Sequence, residues 1–373
     1  MIRRPRAGPV PLFLLLLYVY IGARLLAPVP LAIQALGGVM LVACFAYMPK
    51  GWVARETGHA ARDLVPWIAM GLFSWLFVLT LLRDVGLGVA ALALEPHVLQ
   101  LAVADSALAV LAAAPLVTIA GFYLARRVAP VVEVRVPIAG LAPALEGFTI
   151  AQISDVHVGP TIKRPFVDAV VERVNTLGAD VIAITGDLVD GPVHKLAHHT
   201  QPLARLRSRH GTYFVTGNHE YYSGAHAWIE ELQRLGACVL LNDHVVLDHD
   251  GAHVALAGVT DYAAHHFDRT HRSDPARAAA GAPEGALKVL LAHQPRSAAE
   301  AARAGFDLQL SGHTHGGQFW PWVHFVRMQQ PFTAGLRKLG RMWIYVSRGT
   351  GYWGPPMRFG SPSEITRLTL VAA

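Results

Sequence analysis

The chain has 373 residues, 53% of them hydrophobic and only 16% charged. That balance is too apolar for an ordinary water-soluble protein, and the length is enough for two domains. Part of the formal charge of +6 lies beside apolar segments, so a membrane surface explains it more simply than nucleic acid, which is not expected as a partner. The two cysteines, Cys44 and Cys238, lie far apart in different kinds of segment, which excludes a disulfide framework.

Four apolar runs open the chain, at residues 11–29, 30–48, 65–82 and 99–124. Each is close to the roughly 20 residues a helix needs to cross a bilayer, which predicts an all-α domain of four transmembrane helices. The stretch 87–94 is too short to span and extends the third helix or its loop. The first run alone resembles a cleaved signal peptide, but three further spans make that reading beside the point. Arg3, Arg4 and Arg6 precede the first span, Lys50, Arg55 and Arg62 separate the second from the third, and Arg126 and Arg127 follow the fourth. The other side offers little beyond Arg83, with Arg24 able to snorkel to the interface. Basic residues favour the cytoplasmic side. This predicts a multi-pass protein of the cell inner (plasma) membrane whose catalytic domain is cytoplasmic. No paired charges are expected in mid-membrane, and Asp105 lies near a helix end, so an anchor is favoured over a transporter.

From Val131 the texture changes to short strands and helices. Val131 to Val136 alternates as an edge strand, and residues 148–153 form a second strand that runs into Ser154-Asp155-Val156-His157. Residues 166–177 have helical spacing, with Val167, Val170, Val171 and Val174 on one side. The buried run 181–184 ends in Thr185-Gly186-Asp187. Residues 203–209 read as helical, and 212–215 as a strand stopping at Thr216-Gly217-Asn218-His219-Glu220. A helix is expected at 225–235, with strands at 239–241, 254–258 and 287–291, the last delivering His293. A further strand, 308–310, leads into Ser311-Gly312-His313-Thr314-His315-Gly316-Gly317-Gln318.

The repeated design is a strand, then a polar ligand, then a glycine or turn. Side chains alternate along a strand, so Asp155 and His157, and likewise His313 and His315, are expected to share a face if the chain stays extended. In open α/β sheets, binding groups gather outside the carboxyl ends of the strands. Carboxylates mixed with imidazoles and one amide suit two divalent metal ions better than one, with Mn, Fe, Zn and Mg all open.

The set Asp155-x-His157, Gly186-Asp187, Gly217-Asn218-His219-Glu220, His293 and Gly312-His313-x-His315 resembles the calcineurin-like metallophosphoesterases, over about residues 145–371. Gly317-Gln318, Ser347-Arg348-Gly349 and Pro355-Pro356-x-Arg358 resemble the bacterial membrane-tethered branch, which includes enzymes proposed to hydrolyse UDP-2,3-diacylglucosamine in lipid A synthesis. The resemblance implies a four-layer αββα sandwich at 148–373, following an anchor at 1–127 and a linker with an edge strand at 128–147. It also implies one metal held by Asp155, His157 and His315, another by Asn218, His293 and His313, and Asp187 bridging the two. His219 would be the histidine that stabilises the transition state or protonates the leaving oxygen.

Arg348 and Arg358 are candidates either for phosphate contact or for structural ion pairs, since guanidinium forks fit phosphate oxygens. The His- and Arg-rich stretch 263–283 reads as a lid or a solvated loop. The aromatic run 319–326 either dips into the membrane interface or joins the core. The expected activity is hydrolysis of a phosphodiester or pyrophosphate, with a lipid-linked substrate as the leading expectation. The alternatives are a tethered enzyme with a soluble substrate and a membrane scaffold carrying a relic domain.

Overall fold

The computed structural model describes residues 10–53 and 60–373, without the side chains of residues 10, 11, 51–53 and 60–62. Arg3, Arg4, Arg6 and Arg55, which carry part of the orientation argument, lie outside the described residues, as does the side chain of Arg62. The chain divides into two compact units, Met1–Leu124 with Gly354–Met357, and Ala125–Trp353 with Arg358–Ala373.

The first unit is helical: α1 (Val10–Leu26), α2 (Leu31–Val53), α3 (Ala60–Ala90) and α4 (Pro96–Arg126). Among the described residues, three stretches are long and apolar enough to cross a membrane, Leu31–Lys50, Asp63–Ala90 and Pro96–Arg126, while the apolar stretch Leu12–Leu26 is shorter. Their outward surface is itself apolar, with Leu12, Leu31, Leu36, Leu101 and Leu116 all exposed. Helices apolar all round suit a lipid surround. The 87–94 stretch splits, its first part extending α3 to Ala90 and the rest forming the connection to α4.

The expectation about paired charges concerned mid-membrane, and the pairs this unit does contain lie elsewhere. Paired charges are present, toward the ends of α1 and α3. Asp84 accepts from Arg24 Nε and Nη2 at 2.8 and 3.0 Å, from Arg83 Nη1 at 2.9 Å and from the Tyr20 hydroxyl at 2.8 Å. A carboxylate among apolar helices must be paired, and these donors pair it.

The second unit holds twelve strands and seven further helices. In chain order they are β1 (Val131–Ile138), β2 (Thr149–Ile153), α5 (Arg164–Asn175), β3 (Val181–Ile184), α6 (Val193–Thr200), β4 (Thr212–Phe214), α7 (Asn218–Ser223) and α8 (Ala225–Arg234). Then come β5 (Cys238–Val239), β6 (Asp243–His249), β7 (Ala252–Gly258), α9 (Pro275–Ala279), β8 (Leu287–Leu291), α10 (Ala298–Arg303) and β9 (Leu308–Ser311). The chain closes with α11 (Val323–Val326), β10 (Gly335–Leu339), β11 (Met342–Val346) and β12 (Ile365–Ala372).

Two six-stranded sheets result, ordered β1-β12-β2-β3-β4-β5 and β10-β11-β9-β8-β7-β6. β2 to β5 run parallel, as do β7, β8, β9 and β11. Alternation along the strands fixes the packing. Ile150, Val181 and Ala183 of the first sheet share one core cluster with Leu256, Val289 and Leu310 of the second. Ala151, Ile182 and Ile184 face the other way, onto Val167, Val170 and Val171 of α5 and Trp228 of α8. On the far side of the second sheet, Leu290 and Ile344 pack with Ala278 of α9 and Ala298 and Ala301 of α10.

The helix expected over 203–209 is not formed. A 3-10 turn covers Gln201–Arg205, and the backbone is extended at Leu206 (φ −60°, ψ 137°). The cause is Asn175 at the end of α5, whose Nδ2 donates to Arg205 O at 2.8 Å and whose Oδ1 accepts from Arg207 N at 2.9 Å. A side chain that satisfies both groups removes the advantage of continuing a helix.

Candidate metal centre

Asp155 and His157 follow β2, Asp187 follows β3, Asn218 follows β4, His293 follows β8, and His313 and His315 follow β9. The parallel pairing puts these carboxyl ends on the same edge of each sheet. The backbone there is not extended. Asp155, His157, Asp187, His313 and His315 have φ of 54°, 56°, 51°, 70° and 51°, a left-handed region that costs non-glycine residues on the order of 1–3 kcal/mol each. The extended chain on which the shared faces were conditional is therefore not present. Each chain curls away because its amides find other acceptors: Asp155 N donates to Gly186 O at 3.0 Å, and His157 N to Asp187 O at 3.1 Å. His313 N donates to both Asp155 oxygens, at 2.9 and 3.1 Å.

The curls gather the side chains into two groups. In the first, His157 Nε2 lies 3.0 Å from His315 Nε2, which is 3.5 Å from Asp155 Oδ1. In the second, His293 Nε2 lies 3.0 Å from Asp187 Oδ2 and 3.3 Å from His313 Nδ1. Each trio offers ligand atoms within 4.8 Å of one another. Asp187 Oδ2 is also 4.0 Å from Nε2 of both His157 and His219, which places this carboxylate between the groups. His313 and His315 therefore belong to different trios.

These donors fit divalent cations. Asn218 Oδ1 is buried with no hydrogen-bond donor, a costly state for an amide oxygen that a cation would relieve. Burial, reinforced by the positive charge of His293, pushes His313 down to about 3. Burial and the guanidinium of Arg358 hold His315 well below the usual histidine range. Neutral imidazoles keep the lone pair that a metal needs. Burial opposes a charge on His293, but Asp187, 3.0 Å from Nε2, holds it well above the usual histidine range. Nδ1 donates to Thr185 O at 2.7 Å, so the proton a cation would displace is the one on Nε2. Gly312 is required by close approach, because a Cβ there would sit 2.0 Å from Ser154 Oγ and 2.2 Å from Asp155 Oδ2.

A family profile described as calcineurin-like phosphoesterase matches residues 148–317. An uncharacterized metallophosphoesterase of Aquifex aeolicus is 33% identical over 223 residues, covering 59% of this chain and 84% of that one. The chain belongs to the calcineurin-like metallophosphoesterases. A transmembrane protein with metallophosphoesterase domain from Bos taurus is 42% identical over 69% of this chain and 60% of its own length. An uncharacterized metallophosphoesterase of Helicobacter pylori is 40% identical over 60% of this chain and 59% of its own length. The chain thus spans about 60% of the length of these last two relatives.

Within this metallophosphoesterase domain two acidic residues work beyond what the sequence disclosed. Asp190 Oδ1 accepts from Nδ1 of His157 at 2.9 Å and of His219 at 2.6 Å. Burial alone would raise Asp190, but the two imidazoles outweigh it and hold the carboxyl at about 2. Burial likewise opposes a charge on His219, yet Asp190 and Asp187 push it up to about 9. Glu220, fully buried, accepts from Leu188 N at 2.7 Å, Asp187 N at 3.0 Å and Gly217 N at 2.6 Å, clamping the Asp187 loop to the Asn218 loop. Asp190 stands three residues after Asp187, and that spacing was the available signal.

Both candidate arginines lie beyond the stretch the profile matches. Arg348 pairs with buried Glu364 at 2.8 Å, and its stem would lie 3.0 Å from a Cβ on Gly316. Arg358 is 1% exposed. Its guanidinium donates to His315 O and reaches His315 Nδ1, both at 3.0 Å, and Gly351 O at 3.1 Å. It braces a proposed ligand from behind and presents no free fork to a phosphate.

The stretch 263–283 is ordered by short turns and α9, with Ala264 and Ala278 buried. The run 319–326 divides: Phe319 is buried, whereas Phe325 is exposed.

Proposed function

We propose that this chain is a multi-pass membrane-anchored phosphohydrolase that uses two divalent metal ions to cleave a phosphodiester or pyrophosphate in a lipid-linked substrate. The observation that carries the reading is the pair of donor trios with Asp187 between them and the orphaned Asn218 oxygen at their side. Asp155, His157 and His315 would hold one ion and Asn218, His293 and His313 the other, with Asp187 shared. When bound, such ions polarise phosphoryl oxygens and acidify water.

The chain's own groups then supply the rest. His219 is fixed through Nδ1 by Asp190, which leaves Nε2 turned toward Asp187 to pass a proton to the departing oxygen. Asp190 also orients His157, so one carboxylate sets both a ligand and the proton donor. Arg358 keeps His315 in place, and Arg348 is taken as the phosphate contact closest to Gly316.

The helices outside each sheet support a four-layer αββα arrangement. Four spans, with α1 as the shortest, and a cytoplasmic catalytic domain remain the proposed topology of an inner-membrane protein. Lys50, Arg126 and Arg127 are the described basic residues that support it. The lipid-linked substrate is supported by the apolar helices and by exposed Phe325 and Met328 after the metal-binding turn.

The purified full chain with Mn²⁺, assayed against a panel of phosphoesters that includes UDP-2,3-diacylglucosamine and soluble aryl phosphodiesters, tests this. Preferred turnover of the lipid-linked members is expected. Turnover confined to soluble esters would replace the lipid substrate with a soluble one, and no turnover on any ester would favour a scaffold.

A further inference from the structure

Apart from the proposed centre, the described residues bring together another trio of metal-ligating type: His226, Asp268 and His271 offer ligand atoms within 4.8 Å of one another. His226 stands on the first turn of α8, and the other two lie in the His-rich stretch after β7, more than 40 residues away in sequence. His226 Nε2 is 3.0 Å from Asp268 Oδ2. The rings of His226 and His271 are 5.1 Å apart.

Each loop ligand is aimed by a partner that uses its other polar atom. Asp268 Oδ1 accepts from Thr270 N at 2.8 Å and Thr270 Oγ1 at 2.6 Å, which leaves Oδ2 to face His226. His271 Nδ1 is 2.8 Å from the hydroxyl of Tyr221, and Tyr221 is 3.3 Å from Thr216 Oγ1. With Nδ1–H donating to Tyr221, the lone pair of His271 is on Nε2. The backbone of His271 is fixed as well, since Thr260 Oγ1 donates to its carbonyl at 2.7 Å. Outer partners that orient imidazoles and carboxylates in this way are the usual companions of metal ligands.

We propose that His226, Asp268 and His271 form a peripheral site for a zinc-type divalent ion that latches residues 264–272 onto α7 and α8. Two imidazoles and one carboxylate are a donor set for Zn²⁺ with a fourth position for water. The latched segment carries Phe267, whose ring lies 5.4 Å from Tyr222, itself 5.2 Å from the ring of His219. Tyr221 and Tyr222 stand on α7, the helix that begins at Asn218. Occupancy therefore fixes an aromatic wall beside the proposed centre without adding a ligand to it.

The test uses the full chain purified in detergent without a polyhistidine tag, stripped of metal and titrated with Zn²⁺. Wild type should bind one more Zn²⁺ per chain than either His226→Gln or Asp268→Asn. Zn²⁺ should also slow tryptic cleavage after exposed Arg269 and Arg272 in wild type several-fold more than in the variants. His226 has 70% of its side chain exposed, so His226→Gln leaves packing intact, and matching circular dichroism checks this. An unchanged zinc count in both variants, or equal protection by Zn²⁺ in variants and wild type, overturns the proposal. Because the readout is a difference between variant and wild type, it stands whether or not the main centre binds two ions.

Discussion

Asp190 is a single carboxylate on which two histidines depend, and its loss should be felt in both. Asp190→Ala is expected to lower kcat by about 10–100-fold, the usual scale for removing a group that orients a metal ligand. Steady-state kinetics at saturating Mn²⁺ will show whether kcat falls with KM little changed. Asn218→Leu keeps the branched skeleton and removes the orphaned oxygen. It should weaken the binding of one metal equivalent at the centre, which calorimetric titration reads directly. Asp155, His157, Asp187, Asn218, His293, His313 and His315 were legible because each follows an apolar strand and sits beside a glycine or a turn. Asp190 was not, and Glu220 stood in its motif without a role, because their work is done across loops that only the fold brings together. Arg358 was visible as a motif residue, but its burial behind His315 depends on packing that no spacing announces.

At the level of elements, the loops after β2, β3 and β9 store strain where the donors converge. Gly312→Ala forces a Cβ against Ser154 Oγ and Asp155 Oδ2. A cost of about 1–3 kcal/mol is expected for such overpacking, measurable by urea unfolding, together with loss of metal binding. Both Glu220 oxygens accept backbone N–H groups in the clamp between the Asp187 and Gly217 loops, so Glu220→Gln sets an NH2 against one side of it. It should lower stability by about 1–3 kcal/mol, with activity falling in parallel. β3 was plain because it is apolar throughout, and β8 because Lys288 alone interrupts its apolar run, whereas β10, with exposed Arg337 and Lys338, carries no such pattern. The missing turn of helix at 206–209 was set by Asn175, some thirty residues upstream, and local periodicity is blind to it.

For the whole molecule, the apolar helices were legible from length and hydropathy, but the charge group on Asp84 was not, since it forms between α1 and α3. Exposed Phe325 beside Trp322, with ring centroids 5.6 Å apart, is proposed to meet lipid. Trp320→Ser with Trp322→Ser should reduce turnover of bilayer-embedded substrate about tenfold, an effect of roughly 1.4 kcal/mol, and spare a soluble aryl phosphodiester. Equal losses on the two would remove that role. The measurement that bears most directly on the chemistry is phosphodiester hydrolysis by the purified full chain after chelation and after Mn²⁺ is restored, in wild type and in Asp187→Ala. Turnover should vanish with the metal, return with it, and stay reduced by on the order of a thousandfold or more in the variant. Hydrolysis that survives complete chelation, or a folded Asp187→Ala protein as fast as wild type, would contradict the two-metal reading.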